Sequence, residues 1–111
     1  MVHDAEYATE EVVRGYIDPL LIPGTVAAVR RMTTATGEEA PAELSGISAP
    51  TLVLSGASDR LITPEKALGL ADAIPGARYL VIPEAGHLLA EERPEAFLEE
   101  VLAFLHDPVT A

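Results

Sequence analysis

Before residue 50 the apolar positions recur only at helical spacing; after it, two short continuous apolar runs break that pattern. Thr9-Glu10-Glu11 opens a first helix, a capping hydroxyl followed by acids that suit the positive end of the helix dipole. Val12, Val13, Tyr16 and Ile17 form its apolar face, and Asp18-Pro19 closes it. Leu20-Leu21-Ile22 reads as a connector. Pro23 or Gly24 begins a second helix with Val26, Val29 and Met32 on one face, Arg30-Arg31 outward and Thr36-Gly37 at its end. Met1 to Ala8 is polar and reads as a frayed terminus. Glu38 to Ser48 is acidic and carries Pro41, Ser45, Gly46 and Ser48, with a short helical turn expected at Pro41–Leu44. The expected division is therefore a helical segment over residues 1–45 and a second region over residues 46–111.

The second region has a different rhythm. Thr51-Leu52-Val53-Leu54, bounded by Pro50 and Ser55-Gly56, favours a buried strand. Thr63-Pro64 supplies a cap and a proline for the first helical position. Ala67, Leu70, Ala71 and Ile74 then line one helical face, and Pro75-Gly76 ends the helix. Tyr79-Leu80-Val81-Ile82 is a second strand. Leu88 to Glu92 reads as one helical turn, and Pro94 starts a last helix with Phe97, Leu98, Val101, Leu102, Phe104 and Leu105 apolar. A strand–helix–strand of this length predicts a parallel βαβ unit with a right-handed crossover. The fold class is α/β. Asp59 follows the first strand and His87 the second, so both fall beyond the C-terminal ends of parallel strands, where open α/β sheets place their sites.

Composition narrows the function classes. The chain has 111 residues, 49% of them hydrophobic, and a net charge of −11. That charge excludes a phosphate-neutralising nucleic-acid surface and disfavours an anionic membrane. Without cysteine there is no disulfide framework, thiolate metal site or thiol nucleophile. No apolar stretch approaches the roughly 18 residues of a membrane helix, and the N-terminus lacks a signal-peptide plan, so a cytoplasmic protein is expected. His3, His87 and His106 are too scattered for a metal site.

The run Pro50 to Asp59, the following Ile62-Thr63-Pro64 and the Ala85-Gly86-His87 triplet resemble the C-terminal portion of α/β-hydrolase fold enzymes. That family carries nucleophile, acid and histidine in this chain order. The resemblance implies that Asp59 is a triad acid and His87 a triad base. It also implies a partial α/β-hydrolase fold, ester, lactone or amide hydrolysis in the complete enzyme, and no cofactor. Residues 1–45 then resemble the end of a helical cap, or equally two amphipathic helices covering one face of the sheet. In such a triad the carboxylate fixes the imidazole tautomer, leaving the other ring nitrogen to take a proton from the nucleophile. The competing readings are a turn-forming aspartate and an exposed loop histidine. Glu84 is an alternative orienting acid, Ser55 and Ser58 shape the acid's loop, and Glu91-Glu92 reads as solvated surface.

The sequence also departs from the family. It contains no Gly-x-Ser-x-Gly and no aspartate-centred equivalent, and losing a triad nucleophile costs about a million-fold in rate. The expectation is a C-terminal fragment that is inactive alone. A non-catalytic interaction module, or a fragment of an aspartate-nucleophile relative such as a dehalogenase or epoxide hydrolase, stays open beside it. Two parallel strands leave an open edge, so a complementary N-terminal half or self-association through that edge is expected.

Overall fold

Both strands and the helix between them form where the apolar runs and caps predict. In the computed structural model, which describes residues 1–35 and 43–107, β1 (Leu52–Gly56) and β2 (Arg78–Ile82) are parallel. Their register pairs Leu52 with Arg78 and Gly56 with Ile82. Pairing runs beyond the apolar residues because the backbone bonds continue. Arg78 N–H donates to the Thr51 carbonyl and Ala57 N–H to the Ile82 carbonyl, each at 2.9 Å. Among the described residues the sheet has these two strands, joined through α3 (Pro64–Ala73). The helix starts as its sequence dictates, with Thr63 as cap and Pro64 in the first turn. It stops before Gly76, whose φ of +70° suits a residue without Cβ.

α3 packs on both strands with small side chains. Ala67, Ala71 and Ile74 are buried, together with Ile82 and Ala85. Leu70, placed on the same face by its spacing, is instead 46% exposed; the line that meets the sheet runs through the two alanines, and the larger side chain falls at its margin. Polar bonds fix the corner. Tyr79 Oη donates to the Pro64 carbonyl at 2.8 Å. Its single proton is thereby used, so the buried Ser55 hydroxyl, 3.0 Å away, is the donor to Tyr79. After the one-turn α4 (Leu89–Glu92), α5 (Pro94–His106) closes the chain. Arg78 lies over the Phe104 ring, 5.6 Å from its centroid, and donates to the Asp107 carbonyl at 2.9 Å, tying β2 to the end of α5.

The chain divides into two compact units, Met1–Ala5 with Glu43–Ala111 and Glu6–Ala42. The second is helical. Thr9 caps α1 (Glu10–Ile17) by accepting the Val12 N–H, a short 3-10 turn covers Asp18–Leu21, and α2 (Thr25–Thr34) follows Gly24 at φ +90°. The expected helix end at Thr36-Gly37 lies outside the described residues, as does part of the expected turn at Pro41–Leu44. A turn closed by Ile47 N–H on the Leu44 carbonyl is seen just beyond it. The terminus read as frayed is bonded instead: the Met1 carbonyl accepts from His87 in the loop after β2, and His3 N–H donates to Glu92 on α4.

Candidate active site

Two loops leave the C-terminal ends of β1 and β2, and backbone contact fixes their spacing. Ser58 N–H donates to the Ala85 carbonyl at 2.8 Å, so the loops are hydrogen-bonded to each other. Gly56 sits under this crossing. A Cβ there would lie 2.3 Å from the Gly86 carbonyl oxygen and 2.5 Å from that of Ala85, which only glycine avoids. Gly86 is crowded from the other side, where a Cβ would meet the Met1 carbonyl oxygen at 2.2 Å. The Ser-Gly and Ala-Gly-His signatures are thus demands of close backbone approach.

Asp59 and His87 come together across this crossing. Asp59 Oδ2 lies 3.0 Å from His87 Nδ1, although the residues are 28 positions apart. The other carboxylate oxygen accepts from Leu61 N–H at 2.9 Å and Ile62 N–H at 3.0 Å, which fixes the plane of the group. Asp59 is buried, and burial pushes its carboxyl up. The bond from His87 and the N–H groups of Ile62 and Leu61 outweigh that effect, so its pKa lies below the ordinary carboxylate value. An ionised carboxylate only accepts, so Nδ1 carries the proton donated to Asp59. The imidazole, with 34% of its side chain exposed, is left with Nε2 available as a base. Its backbone N–H donates to the Met1 carbonyl at 2.7 Å. Asp59, not Glu84, is the acid beside His87.

Glu92, expected to be solvated, is buried. Its Oε2 accepts the buried Gly86 N–H at 3.0 Å, and Oε1 accepts the His3 N–H at 2.5 Å. The His3 ring lies with Nδ1 2.7 Å from the Ser58 hydroxyl. Among the described residues no group of three or more His, Cys, Asp or Glu side chains could hold a metal ion.

Comparison with known proteins identifies the family. The sequence pattern described as the alpha/beta hydrolase family matches residues 3–100. The chain belongs to the alpha/beta hydrolase family. It is 48% identical over 58 residues to BpoC of Mycobacterium tuberculosis, a protein that carries a bromoperoxidase name, covering 52% of this chain and 22% of that protein. The enol-lactonase from Burkholderia xenovorans LB400 superposes with a TM-score of 0.56 at 43% identity, over 59% of this chain and 25% of the lactonase. The meta-cleavage product hydrolase CumD from Pseudomonas fluorescens IP01 shares the fold, with a TM-score of 0.77 at 20% identity, over 95% of this chain and 41% of that structure. The chain thus spans well under half of each. As an alpha/beta hydrolase family member, it has a two-stranded parallel sheet with helices that is a partial version of the family fold. Among its described residues no single helix is long and apolar enough to cross a membrane.

Proposed function

We propose that this chain supplies the acid and the histidine of a hydrolase catalytic triad acting on an ester, lactone or amide. The observation that carries the reading is the 3.0 Å bond between buried Asp59 and His87 Nδ1, with Nε2 left free. In this role Nε2 removes the proton of a nucleophilic hydroxyl as it attacks the substrate carbonyl, then returns it to the leaving group. Asp59 holds the tautomer and stabilises the transient imidazolium. Likeness to an enol-lactonase at 43% identity supports the carbonyl-ester class of substrate.

The sequence carries no nucleophile elbow, so the nucleophile comes from residues outside it and the chain acts as a C-terminal fragment. A complementary nucleophile-bearing segment would pair with the free side of β1, and a second copy of the chain is the other candidate for that edge. A cytoplasmic setting belongs to the same proposal, supported by the cysteine-free composition. The test is turnover of a p-nitrophenyl ester and of a lactone. The chain alone should match its His87→Ala variant, and adding the nucleophile-bearing N-terminal segment of a homologous hydrolase should restore turnover that requires His87. His87-dependent turnover by the chain alone would overturn the fragment reading.

A further inference from the structure

The backbone of the histidine loop must hold the imidazole within hydrogen-bonding distance of Asp59. Glu92 braces that backbone. It stands on the one-turn α4, buried, with one carboxylate oxygen on Gly86 N–H and the other on His3 N–H. Gly86 immediately precedes His87. Met1–His3 and Ala85–His87 lie so close that the Met1 carbonyl accepts the His87 N–H at 2.7 Å, and no Cβ fits between them at Gly86. Two backbone segments are thus joined by a direct bond and by one bidentate carboxylate. A glutamate is suited to this task because both of its oxygens accept, whereas an amide offers one acceptor.

We infer that Glu92 is a positioning residue for His87: by holding the Gly86 and His3 N–H groups together, it fixes the backbone that orients the imidazole toward Asp59. The Glu92 carboxylate bonds to the Gly86 and His3 N–H groups, so its influence on the ring passes through the loop. The inference rests on the proposed role of His87 only for its consequence in catalysis; the clamp itself stands on the backbone bonds. Loss of the carboxylate leaves a buried N–H without its acceptor, a defect that favours local opening of the loop.

The experiment measures two things on the full chain by nitrogen-15 NMR: amide hydrogen exchange at Gly86 and His87, and the tautomer of the His87 ring. Glu92→Ala should raise exchange at both amides by about tenfold or more and turn a single Nδ1–H tautomer into an averaged ring signal. Glu92→Gln keeps one acceptor and should fall between wild type and Glu92→Ala, which also decides the matter if the alanine variant does not fold. Ile74→Val, a core substitution away from the loop, should lower the melting temperature slightly and leave the ring signal unchanged. Wild-type exchange and ring signal in Glu92→Gln, or the same ring changes in Ile74→Val, would overturn the inference. A wild-type ring lacking the Nδ1–H tautomer would instead count against the acid–base reading of Asp59 and His87. In that case Gly86 exchange still decides the role of Glu92.

Discussion

Asp59 does two jobs with two oxygens, and the jobs can be separated by substitution. Oδ1 accepts the N–H groups of Leu61 and Ile62, while Oδ2 accepts from His87. Asparagine at this position retains one acceptor oxygen. The two backbone donors cannot change sign, so that oxygen is expected to face Leu61 and Ile62, leaving the amide NH2 toward the ring. His87 must then present Nδ1 as an acceptor and carry its proton on Nε2, the wrong nitrogen for a base. Asp59→Asn thus keeps the two backbone bonds and replaces the charge-assisted bond to His87 by a weaker neutral one of opposite direction, while Asp59→Ala loses all three. At about 1 kcal/mol per partly buried bond, the alanine variant should lose about 3 kcal/mol of stability and the asparagine variant about 1 kcal/mol. Both should lose the Nδ1–H tautomer. In a complemented, active assembly, the asparagine variant alone should reduce turnover by about 10⁴-fold, the effect of the same inversion in serine-protease triads. Urea denaturation gives the stabilities and the nitrogen-15 spectrum of the ring gives the tautomer. Persistence of Nδ1–H in Asp59→Asn would refute the argument, and so would equal destabilisation by the two substitutions.

Two further expectations follow from the same loops. The Asp59 carboxyl is held below its ordinary value, so the stabilisation it contributes is complete above the unfolded-state pKa of about 3.9 and is lost as pH falls through the lower folded value; urea midpoints measured from pH 6 to pH 2 should therefore drop at the acid end more steeply in wild type than in Asp59→Ala, and parallel curves would contradict this. Gly56→Ala should cost about 3 kcal/mol in thermal or urea unfolding and broaden the His87 ring signals, because its Cβ would meet two backbone carbonyl oxygens that cannot rotate away; a near-neutral result would show that the loops yield.

Much of this arrangement is legible in the sequence, for identifiable reasons. β1, α3 and β2 are short, apolar and punctuated by proline and glycine, so pattern and boundary signals agree. Asp59 and His87 stand out because each lies in the loop after a strand with a glycine shortly before it, Gly56 for one and Gly86 for the other. The signals fail where burial is polar. Glu92 sits next to Glu91 in a run that looks like any solvated acidic turn, and the groups it serves are backbone N–H groups, which leave no mark on sequence. The same holds for the Met1 carbonyl and the His3 N–H, which are main-chain atoms. Leu70 fails for a different reason. Helical spacing identifies a face but not which residue lies at its centre, and here two alanines bring the helix close to the strands. The nearest sequence signal for Glu92 is indirect: a loop ending in Gly-His needs an acceptor for the N–H groups it buries, and the one-turn helix that follows is the first element able to offer one.

The crossing of the two loops at Gly56 and Gly86 sets the separation of acid and base by main-chain contact, braced by the Glu92 carboxylate. Such a mount is indifferent to the side chains on its exposed rim. The exposed Arg60 and Leu61 can be exchanged for residues of other size and charge while the Asp59–His87 distance stays where the carbonyls put it. The rim can thus be rewritten by point substitution, whereas a single-residue insertion in either loop would shift the crossing itself and separate the pair. Variation around this site is therefore expected to be rich in exchanges and poor in changes of loop length.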